Sequence, residues 1–164
     1  MIMPDMLCSL LQIPPMGELM NRLREENIHI RRPNPWEKKE LSDFIVEHFS
    51  EGWKHETDVA FSHQPVTCFI ALDGNKIIGF ADYECTRKNY FGPTGVNPEY
   101  RGKGVGKALF LAALHGLADL GYTYGIIGDA GPVNFYKKCV GAIEIPLGDG
   151  RGIYTMKEDP RFRV

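Results

Sequence analysis

The stretch RGKGVGK, residues 101–107, places three glycines at alternate positions between basic side chains. It follows a β-rich run, YFGPTGV (90–96), and opens VGKALFLAALHGLADLG (105–121), whose apolar spacing predicts a long helix. A glycine inside a helix costs roughly 1 kcal/mol relative to alanine, so these glycines indicate a ligand that must approach the backbone closely. The first amides of a helix lack partners and lie at the positive end of its dipole. The loop therefore predicts a site for a phosphate or pyrophosphate.

Two familiar phosphate-binding patterns do not match this loop. A Walker loop requires GxxxxGK[ST], but Gly102 and Gly106 enclose three residues, and Ala108 stands where a hydroxyl would bind magnesium. A dinucleotide fingerprint requires GxGxxG, and here Gly106 comes one residue early. Because one residue changes where every amide of a tight loop points, neither pattern is satisfied.

Strand and helix patterns alternate along most of the chain. The predicted strands are residues 28–32, 66–72, 77–86, 90–96 and 122–128, with closing strands in 142–148 and 152–157. The predicted helices are residues 36–49, 105–121 and a short one within 131–141, with 50–65 read as loop or short helix. Asp73-Gly74 predicts a hairpin turn, and Pro93 predicts a bulged or interrupted strand. A crossover behind an antiparallel meander indicates an α/β fold with a mixed sheet.

The first 20 residues are apolar and are broken by Pro4, Pro14 and Pro15. We interpret 1–27 as an N-terminal extension that packs on the domain 28–164, with a short helix after Pro15 covering part of the core.

Composition excludes several classes of function. The chain has 164 residues and a formal charge of −2, which argues against a nucleic-acid binder. Its four cysteines form no CxxC pair, so no zinc or redox site, and no bound metal, is expected. Scattered thiols without a signal peptide predict a cytoplasmic protein. No run approaches the ~18 apolar residues of a membrane span.

The spacing Arg101-x-x-Gly104-x-Gly106 after VNPEY resembles the coenzyme A loop of the GNAT (Gcn5-related) acetyltransferases. That family's pattern is [RQ]-x-x-G-x-[GA] after a strand carrying V-x-P-x-x, and the order of elements fits it from about residue 28 to 156. The resemblance implies a mostly antiparallel mixed sheet with helices on both faces. Two parallel central strands, here 90–96 and 124–128, would splay into a V that holds the pantetheine arm of acetyl-CoA.

The same resemblance assigns roles to individual residues. The implied coenzyme-binding residues are Thr94, Gly95, Val96, Arg101, Gly102, Lys103, Gly104, Val105, Gly106, Lys107 and Asn134. The loop would hold the pyrophosphate, while backbone groups of 94–96 would pair with the arm and polarise the acyl carbonyl. Tyr136, within NFYKK, would be the catalytic residue that protonates the leaving thiolate.

The sequence departs from the family pattern at two points. Four residues, KKCV, separate Tyr136 from Gly141, one more than is usual in the family. The run 90–96 carries no acidic side chain, so the general base is left open among Asp82, Glu84, Asp129 and water.

The expected activity is acetyl transfer from acetyl-CoA to a primary amine of a small molecule or peptide, by direct attack in a ternary complex. A catalytically silent coenzyme A sensor or partner-binding module is the alternative. On the acceptor side we expect His55 and His63, with Trp53 and Phe61. Homodimers are common in the family, and the sequence does not establish one here.

Overall fold

The computed structural model describes residues 3–146, 152–155 and 161. Its strands are β1 (Met6–Ser9), β2 (Ile28–Arg31), β3 (Cys68–Asp73), β4 (Lys76–Tyr83), β5 (Tyr90–Val96), β6 (Tyr124–Ile127) and β7 (Ile143–Glu144). Its α-helices are α1 (Gly17–Glu25), α2 (Lys38–His48), α3 (Glu51–Ala60), α4 (Val105–Asp119) and α5 (Val133–Val140). Single 3₁₀ turns lie at Pro35–Glu37, Pro98–Tyr100 and Ile153–Thr155.

The seven strands form one sheet in the order β2-β3-β4-β5-β6-β1-β7. Every neighbouring pair is antiparallel except β5 and β6, which confirms the predicted mixed sheet. The predicted hairpin joins β3 to β4, and Gly74 provides the positive φ of +56° that its turn requires. The sheet order brings β5 and β6 to the centre, where a strand–helix–strand crossover connects them.

The two central strands separate after a short paired stretch. Tyr90 and Phe91 pair with Ile126 and Ile127, and β5 then continues to Val96 while β6 ends. The register of β5 against β4 also shifts between Ala81 and Tyr83, as the proline in β5 predicted. The divergence confirms the expected V between two parallel strands.

Helices cover both faces of the sheet. Along β3 the side chains alternate: Ala71 belongs to one apolar cluster, whereas Ile70 and Leu72 belong to another. The first cluster contains α4, nearly all of whose apolar side chains are buried, and the second contains the apolar face of α2. The predicted 36–49 helix is confirmed as α2, and the segment 50–65 forms α3.

The N-terminal segment enters the sheet, which its sequence pattern did not indicate. Strand β1 lies between β6 and β7, and Met6 is fully buried. Helix α1 packs on the first cluster through Leu23. The division of the chain at residue 27 stays a prediction, but the first 27 residues supply both a strand and a helix.

The C-terminal prediction needs correction. The expected closing strand at 152–157 is wrong where the structure describes it, since Ile153–Thr155 forms a 3₁₀ turn. The position beside β6 that a closing strand would take is filled by β1. The strand expected at 142–148 is confirmed only for Ile143–Glu144, and residues 147–151, 156 and 157 lie outside the described residues.

Candidate active site

The loop before α4 exposes a series of unpartnered amides. The first hydrogen bond of the helix runs from Ala108 N to Gly104 O at 3.0 Å, and the amides of 102–107 bond to no other described residue. Gly102 and Gly104 have φ angles of +82° and +91°, which L side chains rarely adopt, so the turn requires glycine there. Unpaired amides at the positive end of a 15-residue helix fit a phosphate group.

The three basic side chains of the loop point in different directions. The Arg101 Nε donates to Val96 O at 3.3 Å, which ties the loop to the end of β5. The Lys103 Nζ lies 3.7 Å from Glu26 Oε2 at the end of α1, away from the cleft described below. Lys107 lines that cleft. Arg101 and Lys107 are therefore the basic side chains best placed for a bound anion.

A cleft of about 720 Å³ runs from the loop to α5. Nine predicted site residues line it: Thr94, Gly95, Val96, Arg101, Gly102, Gly104, Gly106, Lys107 and Tyr136. The remaining walls are Phe49, Trp53, Phe91, Phe110, Pro132 and Phe135. The structure thus brings the glycine loop, the diverging end of β5 and Tyr136 around one space.

Three predicted coenzyme-binding residues do not line this cleft. The side chain of Val105 is 1% exposed and packs in the core, so only its amide, which has no hydrogen-bond partner in the described chain, is left for a ligand. Lys103 turns toward α1, and Asn134 is exposed at the start of α5. Their roles stay predictions.

Tyr136 lies at the inner end of the cleft. Its side chain is 5% exposed, and its ring packs edge-on against Phe91 and Phe110, with centroid distances of 6.2 and 5.1 Å. Its hydroxyl makes no hydrogen bond to any residue in the described part of the chain. Burial raises the pKa of Tyr136 well above its usual value, with a smaller contribution from Cys139. The phenol is therefore protonated at neutral pH and has its proton available for a ligand.

A second cavity of about 330 Å³ adjoins the cleft at Tyr136. Trp53 and Tyr136 line both spaces, whereas Asp129 and Tyr154 line the second cavity and not the cleft. Trp53, Asp129 and Tyr154 also border a third cavity of about 720 Å³, which carries His55 and Glu56. Because Trp53 lines all three spaces, they lie next to one another on the side of the cleft that contains Tyr136.

The structure separates the three carboxyl groups considered as a base. Asp82 is fully buried and lines none of these cavities. Glu84 Oε1 accepts hydrogen bonds from Asn89 N at 2.6 Å and Tyr122 Oη at 2.9 Å, which fixes the turn before β5. Asp129 borders the second and third cavities. Burial, and after it the charge of Asp5, raise the pKa of Asp129.

Of the four residues expected on the acceptor side, two line these cavities and two do not. Trp53 lines all three cavities and His55 the third. His63 Nδ1 instead contacts Thr67 Oγ1 at 2.8 Å, and Phe61 packs beneath Lys38, so neither lines these spaces.

Sequence reasoning missed the aromatic wall of the cleft. The ring of Phe49 lies directly against Gly95, where any Cβ would collide with it, and stacks on Trp53 at 5.1 Å. A glycine inside a strand signals a close approach, but the sequence does not say which side chain makes it.

Within the described ranges, no helix is both long and apolar enough to cross a membrane. The same ranges contain no group of three or more His, Cys, Asp or Glu side chains that could hold a metal ion.

Comparisons with known proteins agree with this geometry. The sequence matches the model of the Acetyltransferase (GNAT) family over residues 23–142. No curated protein matches it. Among solved structures, a GCN5-related glucosamine N-acetyltransferase region of a fungal multi-domain GH3 beta-N-acetylglucosaminidase superposes with a TM-score of 0.72 at 17% identity, covering 87% of this chain and 20% of that one.

Two further structures are similar. A GCN5-related N-acetyltransferase from Sphaerobacter thermophilus has a TM-score of 0.65 at 20% identity, covering 88% of this chain and 50% of that one. A GNAT family acetyltransferase from Brucella melitensis in complex with acetyl-CoA has a TM-score of 0.51 at 20% identity, covering 68% of this chain and 82% of that one. This chain spans half or less of the first two proteins, and the likeness concerns the fold. Because the family model covers well over half of its residues, the chain belongs to the GNAT acetyltransferase family.

Proposed function

We propose that the protein is an N-acetyltransferase that uses acetyl-CoA to acetylate a primary amine of a small molecule or peptide. The observation that carries this proposal is the single cleft in which unpartnered loop amides and the free Tyr136 hydroxyl face the same space. Family membership and a neighbour bound to acetyl-CoA support the choice of ligand.

The residues fit each part of acetyl-CoA. The amides of 102–107, with Lys107, would bind the pyrophosphate. Beyond Phe91, β5 has no β6 partner and offers backbone groups to the pantetheine arm. The aromatic wall formed by Phe49, Phe110 and Phe135 would exclude water from the thioester.

The reaction then needs two proton transfers. The neutral amine attacks the thioester carbon, and an N–H of β5 near Thr94 to Val96 stabilises the oxyanion. Asp129 accepts the proton that the amine nitrogen loses, directly or through water. As the carbon–sulfur bond breaks, the electron pair leaves on sulfur and the Tyr136 hydroxyl protonates the thiolate. The products are the amide and coenzyme A, and solvent restores both side chains.

A silent coenzyme A-binding module remains the second candidate. The observations in its favour are the extra residue between Tyr136 and Gly141 and the absence of an acid on β5. Such a protein would bind coenzyme A through the same loop and transfer nothing.

A two-step experiment separates the candidates. Isothermal titration with acetyl-CoA measures binding, with ATP as competitor to detect a nucleotide site, and a free-thiol assay with a panel of primary amines measures transfer. The enzyme predicts amine-dependent thiol release that falls about 10²-fold or more in Tyr136→Phe, with little change in acetyl-CoA affinity. Tyr124→Phe, which removes a phenol hydroxyl from a half-exposed side chain outside the cleft and both cavities, is the control. Binding without transfer to any amine would favour the silent module, and no binding would reject both.

A further inference from the structure

A buried carboxylate from the N-terminal segment lies behind the acceptor cavities. Asp5 directly precedes β1, is 4% exposed and falls outside the residues matched by the family model. Its Oδ1 accepts a hydrogen bond from Asp129 N at 2.9 Å, and its Oδ2 accepts one from Ile153 N at 3.1 Å. The Tyr90 hydroxyl donates to Oδ2 at 3.3 Å. One side chain thus joins the end of β6, the start of β5 and the 3₁₀ turn at 153–155.

Two of the joined segments carry groups that border the cavities. Asp129 has a φ of +50°, an uncommon conformation for a residue other than glycine, and its N–H bond to Asp5 holds that conformation. Tyr154 follows Ile153, and its hydroxyl donates to Glu56 Oε1 at 2.5 Å. Removing the Asp5 carboxylate would free both Asp129 and Tyr154 from a common anchor.

We propose that Asp5 is a positioning residue for the acceptor side of the active site, holding Asp129 and the Tyr154 segment in place for the incoming amine. This inference rests on the proposed function, with Asp129 as the base. The N-terminal strand therefore contributes to catalysis as well as to the sheet.

The charge of Asp5 provides a second, measurable effect. It raises the pKa of Asp129 beyond what burial does, because a neighbouring negative charge disfavours ionisation. The titratable or charged groups around Asp129, taken from every described segment that borders it, are Asp5, His55, Glu56, Cys85, Arg87, Tyr90, Tyr136 and Tyr154. Among the carboxylates in the described part of the chain, only Asp5 bonds to the Asp129 backbone.

The test is the Asp5→Asn variant, which keeps the shape and removes the charge. We expect the acceptor KM to rise about tenfold, since a charge-assisted hydrogen bond is lost, with acetyl-CoA affinity changed less than about twofold. The acid limb of the kcat/KM profile should move to lower pH because the Asp129 pKa falls. Glu37→Gln, which neutralises a carboxylate paired with Arg31 at 2.7 Å outside these cavities, is the matched control and should change neither quantity.

A readout without turnover separates failure of this inference from failure of the proposed function. ¹³C NMR titration of the Asp129 carboxyl should give a lower pKa in Asp5→Asn than in the wild type, whether or not an acceptor has been found. Should that variant not fold, Tyr90→Phe is the second test. It removes the hydroxyl that donates to Asp5, so the negative charge of Asp5 acts more strongly on Asp129 and should raise the Asp129 pKa. An Asp129 pKa that stays unchanged in the folded variant, or an acceptor KM unchanged in an active enzyme, overturns the proposal.

Discussion

Replacing the carboxyl group of Asp82 with an amide is expected to flatten the pH dependence of stability around neutrality. Asp82 is fully buried on β4. Thr57 Oγ1 donates to its Oδ2 at 2.6 Å, whereas Oδ1 has no hydrogen-bond partner within the described chain. Burial raises the pKa of Asp82 from 3.8 to about 7, against the opposing effect of the Thr57 hydrogen bond.

The sign and size of the effect follow from proton linkage. Between the unfolded pKa, near 3.8, and the folded pKa of about 7, the folded state binds more protons than the unfolded state. The free energy of unfolding therefore falls as pH rises through this window and levels off above it. The difference between the two pKa values corresponds to about 4 kcal/mol.

Urea denaturation of the wild type and Asp82→Asn at about pH 5 and pH 8 measures this quantity. Because pH 5 already lies inside this window, the loss of stability between the two pH values should be smaller in the variant by about 3 kcal/mol. Asp43→Asn is the control, because that carboxylate is exposed and ion-paired with Lys39 at 2.6 Å, and it should follow the wild type. If Asp82→Asn and the wild type lose equal stability, the buried carboxyl does not titrate as described.

Three further variants examine the cleft. Gly104→Val should lower acetyl-CoA affinity at least tenfold by calorimetry while the circular dichroism spectrum stays native. A side chain is disfavoured at a φ of +91°, so the valine should distort the loop and move its amides away from the ligand. Wild-type affinity would contradict the loop assignment. Arg101→Glu should weaken binding more at low than at high salt, and a salt-independent loss would indicate a steric cause. Gly95→Ala should displace the Phe49 ring, reducing the rate of acetyl transfer while leaving the thermal midpoint of unfolding nearly unchanged. Gly17→Ala, where a Cβ meets nothing within 4 Å, should change neither the rate nor the midpoint.

The order of the central elements was predictable because each has its own local signal. Asp73-Gly74 marks the hairpin, and Pro93 marks the irregular strand. The alternating glycines locate the start of α4, and Gly121, with a φ of +96°, comes just after its end. These signals come from glycine and proline, whose backbone preferences follow from the residue type alone and can therefore be read from the sequence.

The acceptor side was not predictable from such signals. Asp82, Glu84 and Asp129 are equivalent as acidic residues near strand ends, and only burial and hydrogen bonding distinguish them. Asp5 carried no signal at all, because its contacts with Asp129 and Ile153 span 124 and 148 positions along the chain.

By itself the sequence determined the glycine loop, the helix it opens and the hairpin that pairs β3 with β4, since turn residues and apolar periodicity act over a few positions. Only the tertiary structure decided that the N-terminal strand fills the sheet beside β6, that Phe49 covers Gly95, and that Asp129 and Tyr136 line the same cavity. These features arise from packing between distant segments, whose partners are selected by shape and burial and not by local conformational preference.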